Sequence, residues 1–167
     1  MLGGMRGVLS FPNPVNEKAA RVVAGVVLAI AIVTIATGAW WLAAVLAYGF
    51  VARTVSGPRL SPLGALAARV IAPRLGAPRP VPGPPKRFAQ AIGALITTAA
   101  ALAGVLAGDG TLAAVLIGLL IAAAALESLA AICIGCHLFA LLMRAGVIPA
   151  AVCEECANVG RRGAAPA

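Results

Sequence analysis

ARVVAGVVLAIAIVTIATGAWWLAAVLAYGFVAR, residues 20–53, decides the fold. Apolar residues fill it almost without interruption, and the one break is Thr37–Gly38. Read as a single helix, Val22–Val51 has 30 residues and would reach about 45 Å, too long for a hydrocarbon core of about 30 Å without strong tilt. Read as two helices, it folds back at Thr37–Gly38. Charge decides between them. Arg21 lies before the stretch and Arg53 after it, while the turn carries no Lys or Arg. A hairpin puts both basic ends on one side, as the positive-inside rule requires.

The rest of the chain has the same character. Its 167 residues are 62% hydrophobic and only 11% charged, with a mean hydropathy of +1.02, where soluble domains carry about a quarter charged residues. Alanine is abundant and aromatics are few, which excludes the alternating strands of a membrane β-barrel. Four apolar segments follow, at Ala19–Ala36, Ala39–Ala52, Phe88–Ala107 and Leu112–Met143. Before the first come Arg6, Lys18 and Arg21. Between the second and third come Arg53, Arg59, Arg69, Arg74, Arg79, Lys86 and Arg87. After the fourth come Arg144, Arg161 and Arg162. The turn at 108–111 carries only Asp109. Four crossings therefore place every Lys and Arg on one side, and a three-crossing chain would not.

The expectation is an all-α integral membrane protein of the bacterial inner (plasma) membrane, with both termini cytoplasmic. Residues 1–18 form an N-terminal segment. Residues 19–143 form a four-helix membrane domain with a cytoplasmic loop at 53–87, and 144–167 form a cytoplasmic tail that contains cysteines. Trp40 and Trp41 are expected at the outer interface. The first segment has the basic start of a signal peptide, but apolar sequence continues past it without a convincing cleavage site. The net charge of +8 is a topology signal rather than a nucleic-acid footprint, because no aromatics are interleaved with the basic residues.

Between the second and third segments, Ser61 is a helix cap with Pro62 at the first helical position and Pro73 as terminator. Leu63, Leu66, Val70 and Ile71 recur at helical spacing, which predicts a short amphipathic helix on the cytoplasmic leaflet. A plain basic loop is the alternative. The proline-rich stretch 77–87 reads as an extended linker. Ala100, Gly104 and Gly108 form a small-residue stripe on the third segment, suited to close helix packing.

Polar residues near the helix ends are read as structural. Asn13 or Asn16 can cap the first helix after Pro14. Glu17 and Arg21 are four apart and can pair. Glu127 is the carboxylate inside the fourth segment, about 24 Å from Thr111 and so near the cytoplasmic boundary. Lys18, Arg21 or Arg53 are its expected partners. No Ser–His–Asp set, phosphate loop or pair of hydrolytic carboxylates is present.

The chemistry-bearing residues are four cysteines in two C-x2-C pairs, Cys133/Cys136 and Cys153/Cys156, with His137 beside the first. Cys133-Ile134-Gly135-Cys136-His137 matches the motif for covalent haem attachment. A cytoplasmic site within a helical apolar run argues against haem. The cytosol also disfavours a permanent structural disulfide. Three readings stay open. The four thiolates, with His137 as a further donor, hold zinc and staple the tail; or the pairs are redox dithiols; or the cysteines are small buried hydrophobes. If they are redox-active, Cys133 and Cys136 should be the more acidic, near His137 and Arg144, because Glu154 and Glu155 disfavour thiolate in the second pair.

Pro14–Val15–Asn16–Glu17 with Arg21, four short helices, the first cysteine pair with Phe139, Gly146–Val147–Ile148–Pro149 and the second cysteine pair together resemble one family. It comprises small four-helix bacterial membrane proteins catalogued as a domain of unknown function, often encoded near thioredoxin-like proteins and sulfurtransferases. The resemblance implies thiol or sulfur chemistry. The expected function is thus a thiol-disulfide redox or sulfur-transfer partner of a thioredoxin-like protein or sulfurtransferase, carried by Cys133, Cys136, Cys153 and Cys156. A zinc-stapled assembly protein and a small sulfur-anion transporter are the alternatives.

Overall fold

A computed structural model of the chain describes residues 11–153 and 156. Strand β1 is Val15–Asn16, followed by α1, Glu17–Thr37, and α2, Trp41–Ser56. Helix α3 begins at Pro62–Leu66, passes through a π-helical turn at Ala67–Ile71 and ends with Ala72–Arg74. Strand β2 is Pro80–Val81. Helix α4, Gly83–Ala101, continues as a π-helical turn at Leu102–Leu106. Helix α5 is Gly110–Ala130, α6 is Ile134–Arg144, and a 3-10 turn occupies Ala150–Val152. The fold is all-helical apart from the small β1–β2 pair. Glu17–Thr37, Gly83–Leu106 and Gly110–Ala130 are long and apolar enough to cross a membrane.

The hairpin of residues 20–53 forms as the charge pattern predicts. Gly38 closes α1 in the left-handed region at φ 67°, a conformation that costs glycine little. The starts of α1 and α4 and the ends of α2 and α5 gather at one end of the bundle, with Lys18, Arg21, Arg53, Lys86 and Arg87 on them. Helix α2 packs most extensively on α4, and α1 on α5, with α4 also against α5. The core is built largely from small side chains. Ala31, Ala43, Ala67, Ala100 and Ala124 are buried with Val27, Leu46, Phe50, Ile117 and Leu120. Leu95, Leu106, Val115, Leu119 and Leu129 point outward. An outer surface that carries so many large apolar side chains is compatible with a bilayer around the bundle.

Gly93 and Gly104 let neighbouring side chains approach α4 closely. A Cβ on Gly93 would lie 2.3 Å from the Phe50 ring, and one on Gly104 would lie 2.6 Å from Trp40. The small-residue stripe therefore has two roles. Ala100 and Gly104 receive neighbours, while Gly108 has open space around it and ends the helix at φ 67°. The two tryptophans also part company: Trp41 is exposed, whereas Trp40 turns in over Gly104 and Gly110.

Two element boundaries differ from expectation. Helix α4 starts at Gly83 rather than Phe88, because prolines in a first turn lack only an N–H that has no helical partner anyway. The fourth apolar segment is two helices. Ala131 adopts φ 58° and breaks it, and the Ala131 and Ile132 N–H groups both return to the Leu126 carbonyl. Twenty-one residues, about 31 Å, already span a hydrocarbon core, and the sequence beyond is equally apolar, so composition cannot mark the stop. In α3, Ser61 caps as expected, accepting from the Gly64 N–H at 3.2 Å. The inward face of α3 is Gly64, Ala67 and Ala72, while Leu66 and Val70, from the apolar face expected on the leaflet, are exposed. The π-helical turn shifts the helical register, and small residues let α3 lie close on α1.

The proline-rich linker is pinned rather than loose. Val15 pairs with Val81 and Asn16 with Pro80. The Asn16 side chain caps α1 at Lys18 and also accepts from the Arg79 N–H. Asn13 accepts from the Gly83 N–H at 2.8 Å, at the start of α4.

Candidate functional site

The break after α5 creates the first cysteine site. Past Ala131 the chain is extended at Cys133, which becomes the N-cap residue of α6, and Cys136 lies in its first turn. One helical turn brings the two sulfurs to 2.6 Å. Helix α6 is held against the first turns of α4 by Gly135, where a Cβ would meet that of Ala89 at 2.5 Å. One turn further on, Phe139 meets Phe88 edge-on with ring centroids 5.6 Å apart. Cys133 is buried and Cys136 half-buried.

The electrostatics separate the two thiols. The Cys136 sulfur donates to that of Cys133, which holds the Cys133 thiol below its ordinary range and pushes that of Cys136 far up. Lys86 favours the Cys133 thiolate, while burial and Glu127 oppose it. A thiolate at Cys133 is also favoured by the positive end of α6. His137 turns to the backbone and not to the sulfurs. Its Nδ1 lies 2.9 Å from the Cys133 carbonyl and donates to that oxygen rather than to a sulfur. Arg144 is at the far end of α6, about 12 Å along the axis from Cys136. Lys86 supplies the positive charge instead, brought in by the fold from α4.

The expected ion pairs form with other partners. Glu127 meets Lys86, with Oε1 and Nζ 2.5 Å apart, instead of Lys18, Arg21 or Arg53. Both side chains are largely buried, at 18% and 9% exposure. Glu17 meets Arg79 of the linker at 3.5 Å rather than Arg21. Arg21 turns toward α5 and donates to the Ser128 and Leu129 carbonyls, the partially negative end of that helix. The β1–β2 pairing explains the Glu17 exchange, since it draws residue 79 over the start of α1.

Cys153 and Cys156 are joined in a disulfide. Glu154 and Glu155 between them lie outside the described residues, as do Arg161 and Arg162. The four cysteines therefore do not converge as a zinc site would need; each pair closes on itself. Among the described residues no three His, Cys, Asp or Glu side chains gather where they could hold a metal ion.

Arg53 was legible only as a loop cation and a potential partner for Glu127, yet it is the most buried charged side chain of the basic end, 6% exposed. Its Nε donates to Gln90 Oε1 at 2.9 Å and its Nη1 to Ser61 Oγ at 3.3 Å, over the Phe50 ring. Arg53, Gln90, Glu127 and Cys133 line one cavity of about 320 Å³ between α1, α2, α4, α5 and the start of α6. The available sequence signal was an arginine and a lone glutamine within apolar segments.

No curated protein and no solved structure matches the chain. A family model does, over residues 15–144, and its description is Domain of unknown function (DUF4395). That span takes in both helical hairpins, the Lys86–Glu127 pair and the first cysteine pair, so the chain belongs to the DUF4395 family.

Proposed function

We propose that this is a four-span protein of the bacterial plasma membrane whose basic end faces the cytoplasm, where Cys133 and Cys136 exchange disulfides with a thioredoxin-like protein. The short helix α2, 16 residues, is the span whose length alone would not announce it. Its pairing with α1 returns the chain to the basic end, which supports four crossings. The observation that carries the thiol reading is the closure of each C-x2-C pair on itself, which a shared zinc centre would not produce. The tail disulfide encloses two residues, and a loop so short constrains the unfolded chain little. That favours exchange over stapling.

The asymmetry of the first pair sets the order of events. When Cys133 and Cys136 are oxidised, a partner thiolate attacks the more accessible Cys136 sulfur. The S–S bond breaks and Cys133 departs as thiolate, the better leaving group because its pKa is the lower. The partner's second thiolate then attacks its own sulfur in the mixed disulfide and releases Cys136. The pair gains two electrons and two protons, and the partner's dithiol becomes a disulfide. The tail pair relays electrons by the same exchange.

In a Cys133→Ser chain whose Cys136 has first been converted to its mixed disulfide with thionitrobenzoate, a thioredoxin-like protein that lacks its resolving cysteine should displace thionitrobenzoate, and its mixed disulfide through Cys136 should accumulate, seen on non-reducing gels. Cys136→Ser should trap far less, and tail variants should still form it. Stoichiometric zinc in the wild-type protein, with no thiol titratable until a chelator is added, would overturn this reading in favour of a metal-stapled one.

A further inference from the structure

We propose that Arg53 and Gln90 form a binding site for a small oxyanion where two cavities of the bundle meet. Arg53 is buried in the last turn of α2, and its partners there are neutral: the Gln90 carbonyl oxygen at 2.9 Å, the Ser61 hydroxyl at 3.3 Å and the face of Phe50, 4.6 Å from the ring centroid. The described carboxylates at this end are committed elsewhere, Glu127 to Lys86 and Glu17 to Arg79. Among the described residues Arg53 thus has no anionic partner. A buried cation held only by neutral dipoles lacks the compensation that buried charges ordinarily have. Two of the five guanidinium N–H groups serve Gln90 and Ser61, and the planar fork suits a ligand with two or more oxygens.

The surrounding space gives the anion a route. Arg53 and Gln90 line the inner cavity of about 320 Å³, with Cys133 and Glu127, and also a second of about 240 Å³ toward the basic end, with Lys86 and Asn16. An anion arriving from the basic end meets Lys86 first and the Arg53–Gln90 pair next, with the inner cavity beyond. The inner walls are mostly apolar, Val27, Ile96 and Leu120 among them, which lowers the local dielectric and strengthens the pairing with Arg53. Glu127 faces the same space but is neutralised by Lys86. The ligand needs no reaction at the cysteines, so the proposal stands apart from disulfide exchange.

The test is calorimetric titration of the full chain in detergent micelles with sodium thiosulfate and sodium sulfate, at constant chloride. Saturable one-site binding is expected for at least one of these oxyanions. Arg53→Gln should weaken it about tenfold or more, the loss of a charge-assisted hydrogen bond. Gln90→Leu should weaken it by a smaller factor, and Cys133→Ser should leave it unchanged. Circular dichroism and melting report whether each variant folds, and Gln90→Leu carries the test if Arg53→Gln does not. Absence of saturable binding to the wild-type chain would overturn the proposal. So would unchanged affinity in the folded variants of Arg53 and Gln90, or loss of binding on Cys133→Ser alone.

Discussion

Glu127 and Lys86 close a largely buried ion pair where α5 ends and α4 begins, and both act on the sulfur of Cys133. Removing one partner of such a pair leaves the other charge buried and uncompensated, a loss of about 3 kcal/mol or more. Glu127→Gln should therefore lower the melting temperature in detergent, and Lys86→Met with Glu127→Leu should recover much of it. The same single substitution removes a negative neighbour that disfavours the Cys133 thiolate. That thiol already lies below the ordinary cysteine range of about 8.5, so its thiolate persists as pH falls through that range and is lost only below its own lowered pKa. Glu127→Gln should move the pH midpoint of Cys133 alkylation by a small haloacetamide further down, followed by mass spectrometry. A midpoint that rises would mean that Lys86 no longer faces the sulfur.

At the scale of elements, α6 is the piece whose placement creates the dithiol. It docks through Gly135 on Ala89 and Phe139 on Phe88, and makes much less contact with α5, from which it departs at Ala131. A side chain at residue 135 must push α6 away from α4, since the Ala89 Cα and Cβ would both lie within 2.6 Å of it. Gly135→Ala should speed alkylation of Cys133 several-fold, as expected where overpacking by one methyl costs about 1–3 kcal/mol locally. The main melting transition should move little, because α1, α2, α4 and α5 keep their core. Ala89→Gly in the same chain should restore slow labelling. Unrestored labelling would show that the glycine sets helix flexibility and not the packing distance.

For the whole molecule, the basic end defines orientation. Every described Lys and Arg lies at that end or on the segments joined there, while the opposite turns at Thr37–Gly38 and Gly108–Gly110 carry none. Under the proposed four-span topology, the positive-inside rule puts the cysteines in the cytoplasm. A reporter active only outside the membrane should be silent when fused at the C-terminus and active when inserted at Gly108–Gly110. Activity at the C-terminus would reverse the orientation and place both cysteine pairs in an oxidising compartment.

Residues 20–53, read alone, determined the hairpin, because length against bilayer thickness and the position of arginines are one-dimensional quantities. The helical class, the Ser61 and Asn16 caps and the two cysteine pairs were legible for the same reason: each depends on neighbours within a few residues. What only the tertiary structure decided is who meets whom across the bundle. The sequence offered Lys18, Arg21 and Arg53 as partners of Glu127, and the packing of α4 on α5 instead selects Lys86. Arg53 reads as a loop charge until α2 settles on α4 and buries it against Gln90. The end of α5 was invisible because apolar residues continue through Ala131, and hydropathy records the solvent a residue prefers, not the direction in which the chain turns.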